Sequence, residues 1–191
     1  MQFLAHPAEY GRSGDRLTFL EIDPTMARIA ADPDLFTFLR DSEAVIDIEI
    51  GDGRLLLERS EERYDIIIVD AFSSDAIPAH LITMEALELY SDRLTERGVV
   101  AYHVSNRHLD LSPIVARQAD ALDMAAVARV DTDLEAARVA EGKQASIWIV
   151  VARSDRDLNA LSEAGSWSRP VVDHRTPLWT DSFSNLLSSL R

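Results

Sequence analysis

Four acidic residues of this chain lie at the ends of predicted strands, at positions where carboxylates can bind ligands. They are Glu21, Asp23, Asp52 and Asp70. In an open parallel α/β sheet, ligands bind outside the carboxyl ends of the strands, so these residues are the first candidates for a binding site. An ionised carboxylate accepts hydrogen bonds through two oxygens and can hold both hydroxyls of a ribose, or an ammonium group. The alternative for each residue is a helix N-cap or a solvated loop, and Asp23, which precedes Pro24, favours the cap.

The elements that must position these carboxylates alternate between apolar and amphipathic segments. Six apolar segments are predicted strands, at 17–22, 45–50, 64–69, 98–104, 125–130 and 146–152. Five amphipathic segments are predicted helices, at 24–31, 34–40, 54–59, 81–94 and 112–124. This alternation is typical of βα units around a mostly parallel sheet, and it predicts an α/β fold. Glu21 and Asp70 directly terminate apolar runs, which favours a functional role for both.

Domain organisation follows from the same pattern. Residues 1–191 contain no linker, no internal repeat and no low-complexity segment, so we expect one domain. The last segment, TPLWTDSFSNLLSSL, is apolar enough to predict that it docks back on that domain. The segment 64–69 (YDIIIV) is a nearly continuous β-branched run of the kind found in central parallel strands, and it predicts the middle of the sheet.

Composition and charge limit the kinds of function that are open to the chain. It has 191 residues, of which 47% are hydrophobic, and 33 acidic residues against 19 basic ones give a formal net charge of −14. This length and hydrophobic content predict a folded domain, and the negative charge disfavours general binding to nucleic-acid phosphates. An acidic surface attracts cationic ligands instead. Cysteine is absent, which excludes disulfides, thiolate metal sites and cysteine nucleophiles.

The histidines and the N-terminus indicate neither a metal site nor membrane insertion. The five histidines show no spacing typical of metal ligands, and His103 lies in a predicted buried strand, so we expect a core residue with satisfied hydrogen bonds. The N-terminal sequence MQFLAHPAEYG lacks the basic and apolar regions of a signal peptide. No stretch approaches the roughly 20 apolar residues that span a bilayer. We therefore expect a soluble, cytoplasmic chain without a bound metal.

Several sequence blocks together resemble a known family. They are TFLEIDP, IGDGR, YDIIIVDAFSSDAIPAHLITMEAL and GVVAYHVSN. The chain resembles the spermidine synthase-like aminopropyltransferases, and most closely the bacterial spermidine synthase-like domains that are often fused to membrane transporter segments. The resemblance runs from about Tyr10 to the WTDSFSNLL tail. The EIDP and VDAFSSDAIP blocks are fairly specific together, whereas EID or GDG alone occurs in many S-adenosylmethionine-dependent methyltransferases.

The resemblance implies a fold and a nucleoside-binding site. The implied fold is the Rossmann-like sheet of S-adenosylmethionine-dependent methyltransferases, with helices on both faces. Glu21 would bind the ribose hydroxyls of decarboxylated S-adenosylmethionine, with Asp23 beside it, and Asp52 and Gly53 would contact the adenine. S-adenosylmethionine itself is the alternative cofactor, and no metal is implied.

The resemblance also implies an amine-binding site. Asp70 would bind the attacking amine and help to deprotonate it, and Ser73 and Asp75 would bind the substrate in the following loop. The implied reaction transfers an aminopropyl group to a polyamine acceptor similar to putrescine, in polyamine biosynthesis, and the implied assembly is a homodimer. The alternatives are an S-adenosylmethionine-dependent methyltransferase and a truncated, non-catalytic domain of the same fold.

The chain departs from the family pattern in three respects. No glycine-rich loop precedes Glu21, and the strand that normally lies between the strands ending at Glu21 and Asp70 is missing. Three interpretations stay open: an N-terminally truncated fragment, replacement of the strand by MQFLA or by a partner chain, or a degenerate member. The loop sequence DAFSSDAIP also differs from the tighter D-S-[ST]-D-P of the well-known aminopropyltransferases.

Overall fold

The computed structural model describes residues 8, 10–70, 78–106, 109–133 and 145–185. The contacts between Cα atoms divide the chain into two compact units, Met1–Ser60 and Glu61–Arg191. Each unit is built from strands and connecting helices. The expectation of one domain over residues 1–191 stays a prediction.

The first unit is a two-stranded parallel sheet with short helices. Its strands are β1 (Arg16–Glu21) and β2 (Val45–Ile50), which pair in register from Arg16 opposite Val45 to Glu21 opposite Ile50. Its helices are α1 (Pro24–Ala31), α2 (Phe38–Asp41) and α3 (Gly53–Arg59). Because parallel strands need a crossover, β1 continues into α1 and α2 before β2 begins. The carboxyl ends of both strands therefore lie at the same edge of this sheet.

The second unit contains a four-stranded sheet in the order β3-β4-β6-β5. Its strands are β3 (Tyr64–Val69), β4 (Leu94–His103), β5 (Ala125–Asp131) and β6 (Ser146–Ala152). Its helices are α4 (Met84–Arg93), α5 (Ser112–Ala121) and α6 (Asp155–Glu163), and a 3-10 turn covers Ala79–Leu81. β3 and β4 are parallel, whereas β6 runs antiparallel to both β4 and β5.

Helices cover both faces of this second sheet, as neighbouring residues of β4 show. Ala101 packs against the cluster of Val127, Val150, Ala152 and Leu158, and Leu158 belongs to α6. Tyr102 points to the opposite face, because side chains alternate along a strand, and its ring lies 6.4 Å from that of Tyr90 on α4. Burial also raises the pKa of Tyr102 well above its usual value, so the phenol stays neutral. The predicted α/β class is confirmed.

The described strands leave one edge open on β1 and one on β3. Within the described residues, β1 pairs with β2 alone and β3 pairs with β4 alone. An open edge presents unpaired backbone N–H and C=O groups to a neighbour. The segment MQFLA, a predicted replacement for the missing strand, lies outside the described residues.

Several predicted boundaries need correction. The helix expected at 34–40 is only the single turn Phe38–Asp41. The residues before it form a separate turn, because the backbone carbonyl of Asp32 accepts the N–H groups of Leu35 and Phe36. The helix expected at 81–94 begins only at Met84, where the Thr83 hydroxyl accepts the N–H of Ala86, and it ends at Arg93. β4 already begins at Leu94, four residues before the predicted start. The helix expected at 112–124 ends at Ala121.

The helix α6 was not predicted. Its sequence, DRDLNALSE, is mostly polar, and its fully buried apolar residue is Leu158. Such a segment lacks the wide apolar stripe from which amphipathic helices are usually identified. Leu158 and the partly buried Leu161, three residues apart on the same helix, pack α6 against the cluster above the sheet.

The predicted docking of the C-terminal segment is confirmed for its described part, up to residue 185, by Trp179, which is completely buried. Its backbone carbonyl accepts hydrogen bonds from the N–H of Met84, at 2.9 Å, and from the side-chain amide of Gln118, at 3.1 Å. Asp181 also binds the C-terminal segment to the rest of the unit, because its carboxylate accepts a hydrogen bond from the hydroxyl of Thr83 at 2.8 Å. This segment is therefore joined to both α4 and α5.

Gly98 is a position where a larger residue should destabilise the second unit. A Cβ atom there would lie 2.7 Å from the backbone oxygen of Tyr64, where the β3–β4 register shifts. Since a backbone oxygen cannot move aside like a side-chain end, we expect Gly98→Ala to cost about 1–3 kcal/mol, the usual cost of overpacking. Urea unfolding followed by circular dichroism measures this. The matched control is Gly53→Ala, whose Cβ would meet Leu20 at an ordinary 3.5 Å; equal stabilities of the two variants would contradict the prediction.

Candidate functional site

The parallel register of β3 and β4 brings Asp70 and His103 together. Val69 lies opposite Tyr102, so the residue that follows β3, Asp70, lies beside the last residue of β4, His103. The Nδ1 atom of His103 is 2.6 Å from Oδ1 of Asp70. Both side chains are partly exposed, with 21% of His103 and 24% of Asp70 accessible to solvent. The pair therefore lies at the carboxyl end of two parallel strands and within reach of a ligand.

The second ring nitrogen of His103 is held by a serine. Its Nε2 lies 2.8 Å from Oγ of Ser105, and that oxygen also accepts the N–H of Ile147 at 2.7 Å. The N–H of Val104 in turn donates to the carbonyl of Ile147 at 2.9 Å, which extends the β4–β6 ladder. Ser105 thus fixes the imidazole to the sheet backbone.

A ring stack fixes the plane of the imidazole. Trp148 lies directly opposite His103 in the antiparallel β4–β6 ladder. The two ring centroids are 4.6 Å apart and the rings are inclined by 17°. Cross-strand pairs of this kind are a normal source of sheet stability, and here the pair also restricts rotation of the histidine ring. Two hydrogen bonds and one stack therefore leave the imidazole little freedom.

The hydrogen-bond partners define where the protons lie when Asp70 is ionised. A carboxylate only accepts hydrogen bonds, so Nδ1 of His103 must carry the proton that is shared with Asp70. In the neutral imidazole, Nε2 is then the acceptor, and the hydroxyl of Ser105 donates to it. This leaves the Oδ2 atom of Asp70, which has no partner among the described residues. The carboxylate can therefore accept a further proton or ammonium group.

The order Ser105, His103, Asp70 repeats the contact order of serine hydrolase triads, but the serine is placed differently. A nucleophilic serine directs its lone pairs at the substrate carbon. One lone pair of Ser105 is instead occupied by the N–H of Ile147. The geometry favours Ser105 as an anchor for the histidine.

In the first unit, Glu21 ends β1 at the edge where β2 also ends. Its backbone carbonyl accepts the N–H of Gly51 at 2.9 Å, and its Oε1 atom accepts the N–H of Asp23, also at 2.9 Å. The side chain is half-buried. One carboxylate oxygen of Glu21 thus orients the group, and within the described residues the other is open to a ligand.

Asp23 and Asp52 both act as helix N-caps. Oδ1 of Asp23 accepts the N–H of Thr25 at 2.7 Å and begins α1, as the sequence Asp23-Pro24 predicted. Oδ1 of Asp52 accepts the N–H groups of Arg54 and Leu55 at 2.9 and 3.1 Å and begins α3. Gly53 follows as the first residue of α3. Their roles in binding a cofactor stay predictions, because capping and ligand contact are compatible for a carboxylate with two oxygens.

The remaining predicted residues are Ser73, Asp75 and His103. Ser73 and Asp75 lie in residues 71–77, outside the described residues. His103 was expected to be a core residue with satisfied hydrogen bonds; its ring nitrogens do have partners, but it lies at the rim of the core rather than inside it. One sequence signal could have identified the role of His103. It is the last residue of the block GVVAYH, Asp70 is the last residue of the block DIIIVD, and the two blocks form neighbouring strands.

The described residues contain neither a metal-binding cluster nor a membrane-spanning helix. Among residues 8, 10–70, 78–106, 109–133 and 145–185, no group of three or more histidine and acidic side chains is arranged to hold a metal ion. In the same parts of the chain, no helix has the length and apolar character to cross a membrane.

Comparison with known proteins gives one relative in sequence and several in structure. No family model matches the chain. The chain is 31% identical over 87 residues to the polyamine aminopropyltransferase of Vibrio vulnificus (strain CMCP6), a match that covers 44% of this chain and 28% of that protein. This similarity confirms the resemblance to the spermidine synthase-like aminopropyltransferases.

Two solved structures are similar over longer stretches. A probable spermidine synthase from Corynebacterium glutamicum ATCC 13032 has a TM-score of 0.48 and 19% identity, over 71% of this chain and 46% of that chain. Human methyltransferase-like protein 13 in complex with SAH has a TM-score of 0.48 and 18% identity, over 83% of this chain and 75% of that chain. The match thus spans less than half the length of the aminopropyltransferase and of the spermidine synthase.

Proposed function

We propose that this chain takes part in aminopropyl transfer from decarboxylated S-adenosylmethionine to a diamine similar to putrescine. The observation that carries the proposal is the Asp70 carboxylate: His103 holds one of its oxygens, and the other has no partner within the part of the chain that the structure describes. The sequence similarity to a polyamine aminopropyltransferase supports the same reaction. The formal net charge of −14 favours the approach of a cationic substrate.

The proposed reaction is a displacement at the methylene carbon next to a sulfonium. A bond forms between the amine nitrogen and that carbon, the carbon–sulfur bond breaks, and its electron pair stays on sulfur to give the neutral thioether 5′-methylthioadenosine. The positive sulfur already activates the carbon, so the protein must supply orientation and a neutral amine. A diamine is a dication in water, and Asp70 would accept the proton that the attacking amine loses before passing it to solvent.

The proposed nucleoside contacts are Glu21, Asp52 and Gly53, with Asp23 beside Glu21. Glu21 would accept hydrogen bonds from the ribose hydroxyls through the carboxylate oxygen that Asp23 does not occupy. Asp52 and Gly53 would contact the adenine from the beginning of α3. These assignments follow from the resemblance of EIDP and GDG to the family motifs.

A competition measurement separates aminopropyl transfer from methyl transfer. Bound 5′-methylthioadenosine is titrated with decarboxylated S-adenosylmethionine and, separately, with S-adenosylmethionine. We expect the decarboxylated form to displace it more readily, because it lacks the carboxylate of S-adenosylmethionine, which a chain with a formal net charge of −14 repels. Stronger displacement by S-adenosylmethionine would favour the methyltransferase, and no binding of any of these nucleosides would favour a non-catalytic domain.

Replacing Glu21 with glutamine should weaken nucleoside binding specifically. The glutamine side chain can still accept the N–H of Asp23, but it lacks the charge that strengthens hydrogen bonds from the ribose. A hydrogen bond to a charged group contributes about 1.5–3 kcal/mol, so we expect affinity for 5′-methylthioadenosine to fall by roughly 10- to 100-fold. Isothermal titration calorimetry measures this. Glu49→Gln, on the exposed part of β2, is the matched control, and an equal loss in both variants would contradict the role of Glu21.

A further inference from the structure

We infer that His103 is the positioning residue of the amine-binding acid, an assignment that rests on the proposed function of Asp70. By donating Nδ1–H to Oδ1, the imidazole fixes the rotation of the carboxylate and directs Oδ2 toward the amine nitrogen. The amine-binding site then consists of a carboxylate and the histidine that orients it. No motif of the resemblance assigned His103 this role.

The fixed position of the imidazole supports this assignment. Ser105 and the N–H of Ile147 hold its Nε2 side, and Trp148 stacks on its face at 4.6 Å. A group that orients a reacting side chain must itself be locked by packing and hydrogen bonds, because small displacements of the reacting atoms greatly reduce rate. The contacts of His103 meet this requirement on three sides.

The chemistry of the donor supports it as well. A neutral imidazole donates a hydrogen bond without cancelling the negative charge of Asp70. An arginine or lysine in its place would neutralise the carboxylate and compete with a cationic amine for it. The side chains of Asp70 and His103 also stay partly accessible, at 24% and 21%, as a substrate-binding pair must and a core pair need not.

Two substitutions separate positioning from structure. His103→Asn places an amide N–H where Nδ1 lies and can still donate to Asp70, whereas His103→Leu cannot. We expect His103→Leu to lower kcat/KM for the diamine by about 10- to 100-fold, with KM for decarboxylated S-adenosylmethionine unchanged, and His103→Asn to restore most of the loss. His174→Leu, at an exposed histidine, is the matched control and should match the wild type. Melting temperatures of all variants show whether each is folded.

A second readout does not need turnover. The ¹⁵N spectrum of the wild-type imidazole should show the Nδ1–H tautomer, and adding a diamine should shift the His103 resonances. The inference is overturned by an Nε2–H tautomer, or by a folded His103→Leu variant with unchanged kcat/KM. If the wild type transfers no aminopropyl group, the proposed function fails, and calorimetric affinity for the diamine decides instead. Weaker binding in His103→Leu than in His103→Asn then supports positioning, and equal binding overturns it.

Discussion

Replacing Asp70 with asparagine is expected to lower aminopropyl transfer by about 10²- to 10⁴-fold, the usual contribution of a positioned general base. The substitution keeps the shape of the side chain, and the amide oxygen can still accept Nδ1–H of His103. It removes the negative charge and the ability to take a proton from the amine. The affinity for 5′-methylthioadenosine should stay near that of the wild type, because Asp70 is not among the proposed nucleoside contacts.

Steady-state rates and calorimetry on the same preparation measure both parts of this expectation. The matched control is Asp65→Asn, because Asp65 lies exposed on the same strand, β3, and accepts the hydroxyl of Thr95 at 2.8 Å. The control should keep wild-type transfer. If Asp70→Asn loses transfer and nucleoside affinity to the same extent, or keeps its rate, Asp70 is not the amine-binding acid.

Replacing Trp179 with alanine should be the most destabilising single change in the second unit. The side chain is completely buried, and removal of a buried tryptophan costs about 3–5 kcal/mol through lost apolar contact and the cavity left behind. The backbone carbonyl of Trp179 also accepts hydrogen bonds from the N–H of Met84 and the side-chain amide of Gln118. A shift of the backbone at this position would therefore weaken the packing of both α4 and α5.

Two further substitutions give this prediction its controls. Trp179→Phe should cost less than alanine, because it keeps an aromatic ring and removes an indole N–H that is buried without a partner among the described residues. Phe183→Ala removes a half-exposed ring from the same segment and should change stability by less than about 0.5 kcal/mol. Urea unfolding measures all three. A Trp179→Ala variant as stable as Phe183→Ala would show that this segment does not hold the fold.

Local pattern was sufficient to place the carboxylates. Asp70 follows an unbroken β-branched run, and Glu21 ends an apolar run before an Asp-Pro helix start, so the ends of both strands could be predicted from sequence. The capping role of Asp23 was also predictable, because it depends on residues within two positions of it. Each of these features depends on residues close together in the sequence, so the local sequence is enough to predict it.

His103 could not be assigned in the same way. Its contact with Asp70 crosses 33 residues, and it depends on which strands are neighbours and on a register that shifts near Tyr64. A histidine in an apolar run looks like a core residue until the neighbouring strand is known. α6 was not predicted because its contact with the cluster depends on two leucines, Leu158 and Leu161, in a mostly polar segment.

Product analysis tests most directly whether this chain supports the proposed aminopropyl transfer. The protein is incubated with decarboxylated S-adenosylmethionine and putrescine, and the products are quantified by mass spectrometry. We expect 5′-methylthioadenosine and an aminopropylated amine in equal amounts, with both lost in Asp70→Asn and kept in Asp65→Asn. No aminopropylated amine in this incubation, together with methylated amine in a parallel incubation with S-adenosylmethionine, would contradict aminopropyl transfer.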